Sequence, residues 1–239
     1  MNTDYVSDFY DEFVNEQAAS GINERIFSLF KRTKKLGLKS NSNVLELGCG
    51  IGTFTFLLSK IVKQGIIEAV DISPLSIMYA KGKLKKQNIK FITSNILNYT
   101  PEHNNYSFIV LFDIIEHIHL HKHDVFFGNI QNYMNDYTLL LINIPNPKYT
   151  EYDRLHQSHL LQIIDETVYL NDLSAVLYKN NLYIHFFETY SIWAKDDYQF
   201  IVVRKNHPFE EIKLSSLQGY GKKIKERLKR EYIKKIYKF

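Results

Sequence analysis

The 239-residue chain has a single cysteine, Cys49, which excludes an internal disulfide framework and fits a reducing compartment. It has no apolar run near the ~18 residues of a membrane span, so no transmembrane segment is expected. Its opening, Met1-Asn2-Thr3-Asp4, is acidic and polar, so no secretory signal is expected either. The body also lacks a positive field. The formal charge is +4, but residues 222–239 hold nine Lys/Arg against two Glu, a local +7, which leaves −3 on the rest. That disfavours a basic nucleic-acid groove on the body. What is abundant is apolar: 45% of residues are hydrophobic, enough for the core of one domain with an extension.

The most informative stretch is Val44-Leu45-Glu46-Leu47-Gly48-Cys49-Gly50-Ile51-Gly52. A short apolar strand ends in glycines at every second position, and a helical pattern follows. Glycine permits positive φ and close approach of a ligand, and the helix start offers free N–H groups. A second apolar strand, Ile66-Ile67-Glu68-Ala69-Val70, ends in Asp71. That spacing suits a carboxylate accepting hydrogen bonds from a ribose diol in a βαβ unit. The same geometry would serve NAD, but after Gly48 and Gly50 the third glycine of G-x-G-x-x-G is replaced by Thr53. Cys49 reads as a small residue in the loop rather than a nucleophile.

Periodicity organises the remainder. Residues 4–19 and 22–36 read as helices, separated by Ser20-Gly21, and the first carries Tyr5, Phe9, Tyr10, Phe13 and Val14 as a stripe. Strands are expected at about 43–47, 66–70, 89–93, 106–111 and 137–144, and helices at 52–63, 74–87 and 122–135. Residues 149–159 read as a polar loop. Asp165 reads as the N-cap of a helix over 166–179, and strands at 182–188 and 198–204 form a hairpin. Alternating strands and helices predict an α/β fold with a mainly parallel, Rossmann-like sheet. Residues 206–221 read as a linker and 222–238 as a basic helix with Ile224, Leu228, Tyr232 and Ile236 at i+4 spacing, suited to peripheral contact with an anionic membrane face. A charged tail, or a helix packed on the body or a partner, is the plainer reading.

"VLELGCGIG" followed by "AVDIS" resembles motif I and the next acidic motif of the class I S-adenosylmethionine-dependent methyltransferases, over roughly residues 40–205. The resemblance implies seven strands with the last antiparallel. It divides the chain into lid helices (1–40), a cofactor-binding core (41–205), and a linker with basic helix (206–239). It implies S-adenosylmethionine as cofactor, held by Glu46, Gly48, Cys49, Gly50, Gly52, Asp71, Ile72, Asn95, Ile96 and Asp113. Asn95 stands where family members often carry an acid for the adenine amino group. An amide oxygen still accepts that bond, without charge. The lid helices would bring Tyr10, Gln17 and Arg25 to the acceptor, although core packing explains the aromatics equally well.

Methyl transfer from a sulfonium needs alignment, and an alcohol acceptor must also lose a proton. His117, His156 and His159 are the candidate bases, with Asp113 beside them, because imidazole titrates near neutrality. His119, His121 and His123 read as an exposed helix start. Asp113, Glu116 and His117 lie at i, i+3, i+4, a set suited to Mg²⁺ or Mn²⁺ if that turn is helical. The segment also resembles the E-x-x-E-H of the ubiquinone-biosynthesis O-methyltransferases and the small-RNA 2′-O-methyltransferases, with His156 as a further ligand. In metal-free relatives the Glu-His pair supports the loop. Asp153 and Arg154 are candidates to grip a polar acceptor. These features point to a cytoplasmic enzyme methylating a small or glycan-linked acceptor, at oxygen, in surface-polysaccharide or small-molecule biosynthesis. An RNA 2′-O-methyltransferase, N-methylation of an amino alcohol phosphate, and a non-catalytic cofactor-binding subunit are the alternatives.

Overall fold

A computed structural model describes residues 3–208 and 217–237. Residues 1–206 form one compact unit and 207–239 a second. The first opens with α1 (Thr3–Glu12), α2 (Val14–Ser20) and α3 (Glu24–Lys35). The expected single helix over 4–19 is thus two, broken at Phe13. The side chain of Asn23 caps α3 by accepting from the Ile26 amide at 3.0 Å.

There follow β1 (Val44–Leu47), α4 (Thr53–Ile61), β2 (Ile67–Asp71), α5 (Pro74–Lys83), β3 (Ile89–Thr93) and β4 (Phe108–Phe112). Then come α6 (His123–Tyr133), β5 (Leu139–Pro145), α7 (Pro147–His156), α8 (Leu170–Lys179), β6 (Leu182–Tyr190) and β7 (Tyr198–Lys205). The sheet order is β3-β2-β1-β4-β5-β7-β6. Strands β1 to β5 pair in parallel, whereas β7 runs antiparallel to β5 and to β6. This is the Rossmann-like, mainly parallel seven-stranded sheet expected, and its order reverses between β1 and β4. Ligand crevices in such sheets lie outside the carboxyl ends of the strands at that reversal.

The central strands are buried on both faces, and alternation divides their side chains between two cores. Leu45, Leu47, Ile109, Leu111, Leu140 and Ile142 face Phe126, Phe127 and Ile130 of α6 and Leu173 and Leu177 of α8. Val44, Phe108, Val110, Leu139 and Leu141 face Leu29 and Phe30 of α3 and Phe54, Leu57 and Leu58 of α4. Glu68 of β2 is fully buried and accepts hydrogen bonds from the phenols of Tyr99 and Tyr106.

Two expectations need correction. The supposed polar loop over 149–159 is mostly helix. Asn146 accepts from the Lys148 amide at 3.1 Å, and Pro147 occupies the first helical turn, where no N–H donor is needed. Asp165 does not cap a helix, because α8 starts only at Leu170 and the Asp165 carboxylate accepts from the Gln162 amide instead, at 2.6 Å.

In the second unit, α9 (Leu217–Tyr237) carries Ile224, Leu228, Tyr232 and Ile236, all exposed. Half of the expected linker, residues 209–216, lies outside the described residues, and residues 217–221 open α9 rather than belonging to a linker. No helix among the described residues is long and apolar enough to cross a membrane. Phe127, fully buried in the first core, tests the packing. Phe127→Ala is expected to cost about 3–5 kcal/mol in denaturant unfolding, and a loss below about 1 kcal/mol would contradict the packing described.

Candidate active site

A cavity of ≈ 340 Å³ lies over the carboxyl ends of β1, β2 and β4 and beneath α1–α3, within the size range of small-molecule sites. Its floor is the glycine turn. Gly48 has φ +81°, and a Cβ there would lie 1.8 Å from the Ile114 side chain. Gly50 has φ +50°, and a Cβ would meet the Gln17 amide oxygen at 2.6 Å. Both positions therefore require glycine. Gly52 is different. It does not border the cavity, and it lets α4 approach Ala80 of α5, where a Cβ would come within 3.1 Å.

Asp71 closes the turn. One carboxylate oxygen accepts from the Gly50 amide at 2.7 Å, the other from the Ser73 amide at 2.9 Å. Burial raises its pKa, and these amide bonds oppose the rise. Each oxygen retains a lone pair for a further donor. Burial likewise pushes Glu46 up to about 8, although its carboxylate accepts from Thr55 at 2.7 Å. Cys49 is buried, and burial drives its thiol well up, as a packing residue rather than a nucleophile requires. Ile72, Asn95 and Ile96 border the cavity. Part of Asn95 is already committed, since its side-chain oxygen accepts from the Leu97 amide at 3.0 Å. Tyr10, Gln17 and Arg25 of the N-terminal helices border it too, and the Gln17 oxygen accepts from the Ile51 amide at 3.2 Å.

The far wall is a network of side chains. Asp113 ends β4 in the left-handed region (φ +56°), which costs about 1–3 kcal/mol in a non-glycine residue. Its partners impose that conformation. Its amide donates to the Asn143 carbonyl at 2.9 Å, and its carboxylate accepts from the Asn143 side chain at 2.9 Å and pairs with Arg25 at 2.9 Å. Tyr190 donates to Asn143 at 2.7 Å, and Arg25 donates to Tyr198 at 3.0 Å.

His117 lies in a short 3₁₀ turn, Ile115–His117. Its Nδ1 faces the Ile164 carbonyl at 2.7 Å and the Asp165 carboxylate at 3.1 Å. That leaves Nε2 as the ring nitrogen with no hydrogen-bond partner among the described residues, on a side chain that borders the cavity. Burial lowers the His117 pKa, but the Asp165 hydrogen bond, the Glu116 charge and the Ile164 carbonyl outweigh it and lift the imidazole to about 9. The support is extensive. The Glu166 amide donates to the Glu116 carbonyl at 2.8 Å, and the Arg154 guanidinium donates to Thr167 at 2.7 Å and to the Asp165 carbonyl at 2.6 Å. From beneath, His123 Nε2 lies 2.9 Å from the Ile115 carbonyl and 3.0 Å from that of Ile118.

Several expectations change accordingly. His156 and His159 are exposed and border no described cavity, and the His156 ring packs on Tyr152 at 4.5 Å. Neither is placed to act as a base. Arg154 does not reach a cavity either, because it is spent anchoring the Asp165 segment. Asp153 is buried beside a second, smaller cavity. His123 is buried, not exposed, and burial lowers its pKa. The proposed metal ligands Asp113, Glu116, His117 and His156 are not assembled. Both Asp113 oxygens are engaged and His156 is remote, and no group of three or more His, Cys, Asp or Glu among the described residues is placed to hold an ion. In the sequence Asp165 reads only as a helix cap and Gln162 is not singled out, for no local spacing links Asp165 to a histidine 48 positions earlier.

The profile of the methyltransferase domain matches residues 10–201. The chain is 40% identical over 67 residues to malonyl-[acyl-carrier protein] O-methyltransferase 1 of Ilyobacter polytropus, covering 28% of this chain and 25% of that protein. It is 32% identical over 100 residues to ribosomal RNA large subunit methyltransferase E of Brachyspira hyodysenteriae, covering 40% and 49%. The matches thus span a quarter to a half of these curated relatives. Among solved structures, magnesium protoporphyrin IX methyltransferase from Synechocystis with bound SAH superposes with a TM-score of 0.66 at 15% identity, covering 86% of this chain and 99% of that one. A methyltransferase from Clostridium acetobutylicum gives 0.63 at 15% identity, covering 83% and 99%. At that identity the likeness is one of fold.

The raised His117 pKa is directly testable. A raised imidazole pKa contributes stability that is present below about 6.5 and is lost as pH rises through about 9. Imidazole NMR should report His117 titrating near pH 9, and Asp165→Asn should lower that value by roughly one to three units. A normal histidine titration in the wild type would contradict the pairing.

Proposed function

The chain belongs to the methyltransferase-domain family, and we propose that it uses S-adenosylmethionine to methylate a hydroxyl on a small polar or glycan-linked acceptor. The observation that carries this reading is the His117–Asp165 pair at the edge of the glycine-floored cavity. When bound, the cofactor supplies an electrophilic methyl on a sulfonium. The residues present fit it: a turn bare of Cβ at Gly48 and Gly50, the Asp71 carboxylate for a sugar diol, and Asn95 and Ile96 for the base. On this reading residues 1–40 are a lid, 41–205 the core, and Tyr10, Gln17 and Arg25 face both ligands.

Asp165 holds the Nδ1 side of His117, so the proton to be taken goes to Nε2. An orienting carboxylate of this kind fixes the tautomer and stabilises the imidazolium that forms. The imidazole is protonated at neutral pH in the free enzyme and becomes a base as pH rises toward 9.

The match to a ribosomal RNA methyltransferase supports a second reading, an RNA 2′-hydroxyl acceptor, with the nine Lys/Arg of residues 222–239 as phosphate contacts. The exposed apolar stripe of the basic helix α9 is compatible with peripheral contact to an anionic membrane face.

On the leading reading His117→Gln lowers kcat by about 10²–10⁴-fold while S-adenosylhomocysteine still binds. The wild-type kcat/KM increases with pH up to about 9. A rate indifferent to pH across that limb, or a fully active His117→Gln enzyme, contradicts the assignment.

A further inference from the structure

A second cleft of ≈ 160 Å³ opens between the end of β5, α7 and residues 160–165, and Arg25, Asp113, His117 and Gln162 border both it and the larger cavity. Four carboxylates border this inner cleft, those of Asp113, Glu116, Asp153 and Asp165, against the cations Arg25 and His117. Asp113 is satisfied by Arg25 and Asn143, and Asp165 by His117 and the Gln162 amide. Glu116 and Asp153 are not. Glu116 is 4% exposed and Asp153 8%, and Glu116 Oε2 and Asp153 Oδ1 have no hydrogen-bond partner. The buried side-chain oxygen of Gln162 has none either.

Buried polar atoms without partners are uncommon and costly, and each needs a reason. The three atoms named are acceptors on residues that border one cleft, a branch of the larger cavity, and the Nε of Arg25, which borders both, is an unpartnered donor beside them. Whatever fills the cleft must bring donors to the three oxygens and an acceptor to Arg25, and because burial raises the pKa of both carboxyls, Glu116's to about 8, a positive charge is what would hold them ionised. A carboxylate or phosphate would meet repulsion. A hydroxyl supplies one donor and no charge, whereas an ammonium supplies three donors and a full charge from one small group.

We propose that the inner cleft is a subsite for an ammonium group carried by the methyl acceptor, gripped by Glu116, Asp153 and Gln162. The acceptor is then an amino alcohol or amino sugar, its amine seated in the cleft and its hydroxyl near His117. This deepens the hydroxyl-methylation reading and rests on it only for what the amine is attached to. A purely anionic acceptor fits poorly.

Three matched fragments test the subsite without turnover: ethanolamine, ethylene glycol and glycolate, titrated into the full-length protein while the His117 imidazole resonance is followed. Ethanolamine should bind about tenfold or more tighter than the glycol, the difference expected of charge-assisted hydrogen bonds, and glycolate should not bind. Asp153→Asn and Glu116→Gln should each erase the preference for the amine. Equal affinity for amine and glycol, preference for glycolate, displacement of ethanolamine by Mg²⁺, no response to any fragment, or an intact preference in both variants would overturn the proposal. Calorimetry with S-adenosylhomocysteine on the same samples separates the two failures. If the donor product does not bind while ethanolamine does, the methyl-transfer reading falls and the ammonium subsite stands.

Discussion

The glycine-floored side of the cavity depends on one carboxylate. Asp71 spans the gap between the glycine turn after β1 and the start of α5, accepting one amide from each. Glycines at 48, 50 and 52 all lie at positive φ, a conformation cheap in glycine but not specified by it. Something must choose that shape among many, and a buried anion with two amide donors does so. Asp11 of α1 adds to the clamp from above, accepting from the Ser73 hydroxyl and the Leu75 amide, so α1 and the cavity floor share one polar seam.

The two halves of the site are built on different principles. The glycine-turn half is mostly backbone, shaped by the absence of side chains at Gly48 and Gly50. The His117 half is mostly side chain. The chain Tyr190–Asn143–Asp113–Arg25–Tyr198 ties β5, β6, β7, α3 and the end of β4 together through buried and partly buried polar contacts. Linked polar groups in a low-dielectric interior strengthen one another. Asp113 could have been a metal ligand by residue type; its partners make it the strut that aims Arg25. The His117 turn is held likewise, by His123 beneath and the Ile164–Glu166 segment alongside.

The parts legible in the sequence were those coded locally. The apolar runs of β1 to β5, the helices that follow β1 and β2, the glycine turn, and the acid that ends β2 all announce themselves within a few residues. The stretch before residues 149–159 shows the limit. Those residues read as a polar loop, yet Asn146 is an N-cap followed by a proline suited to a first helical turn. Contacts between distant segments were not legible. Asp165 meets His117 only because α7 and the Ser158–Leu160 turn carry the chain back over the β4 edge. The i, i+3, i+4 spacing of Asp113, Glu116 and His117 suggested a shared face, but Asp113 lies at φ +56° outside any helix and the turn begins only at Ile115. Histidine content misled in the same way: His156 and His159 are surface residues, whereas His123 is a buried brace.

The most direct measurement of the central claim is the heat of mixing with S-adenosylhomocysteine, for the wild type and for Asp71→Asn. The expected result is one-to-one binding by the wild type and affinity weakened about tenfold or more in the variant, the cost of leaving buried donors poorly matched, with folding retained. No heat with this ligand but binding of a nicotinamide dinucleotide, or unchanged affinity in Asp71→Asn, would contradict it.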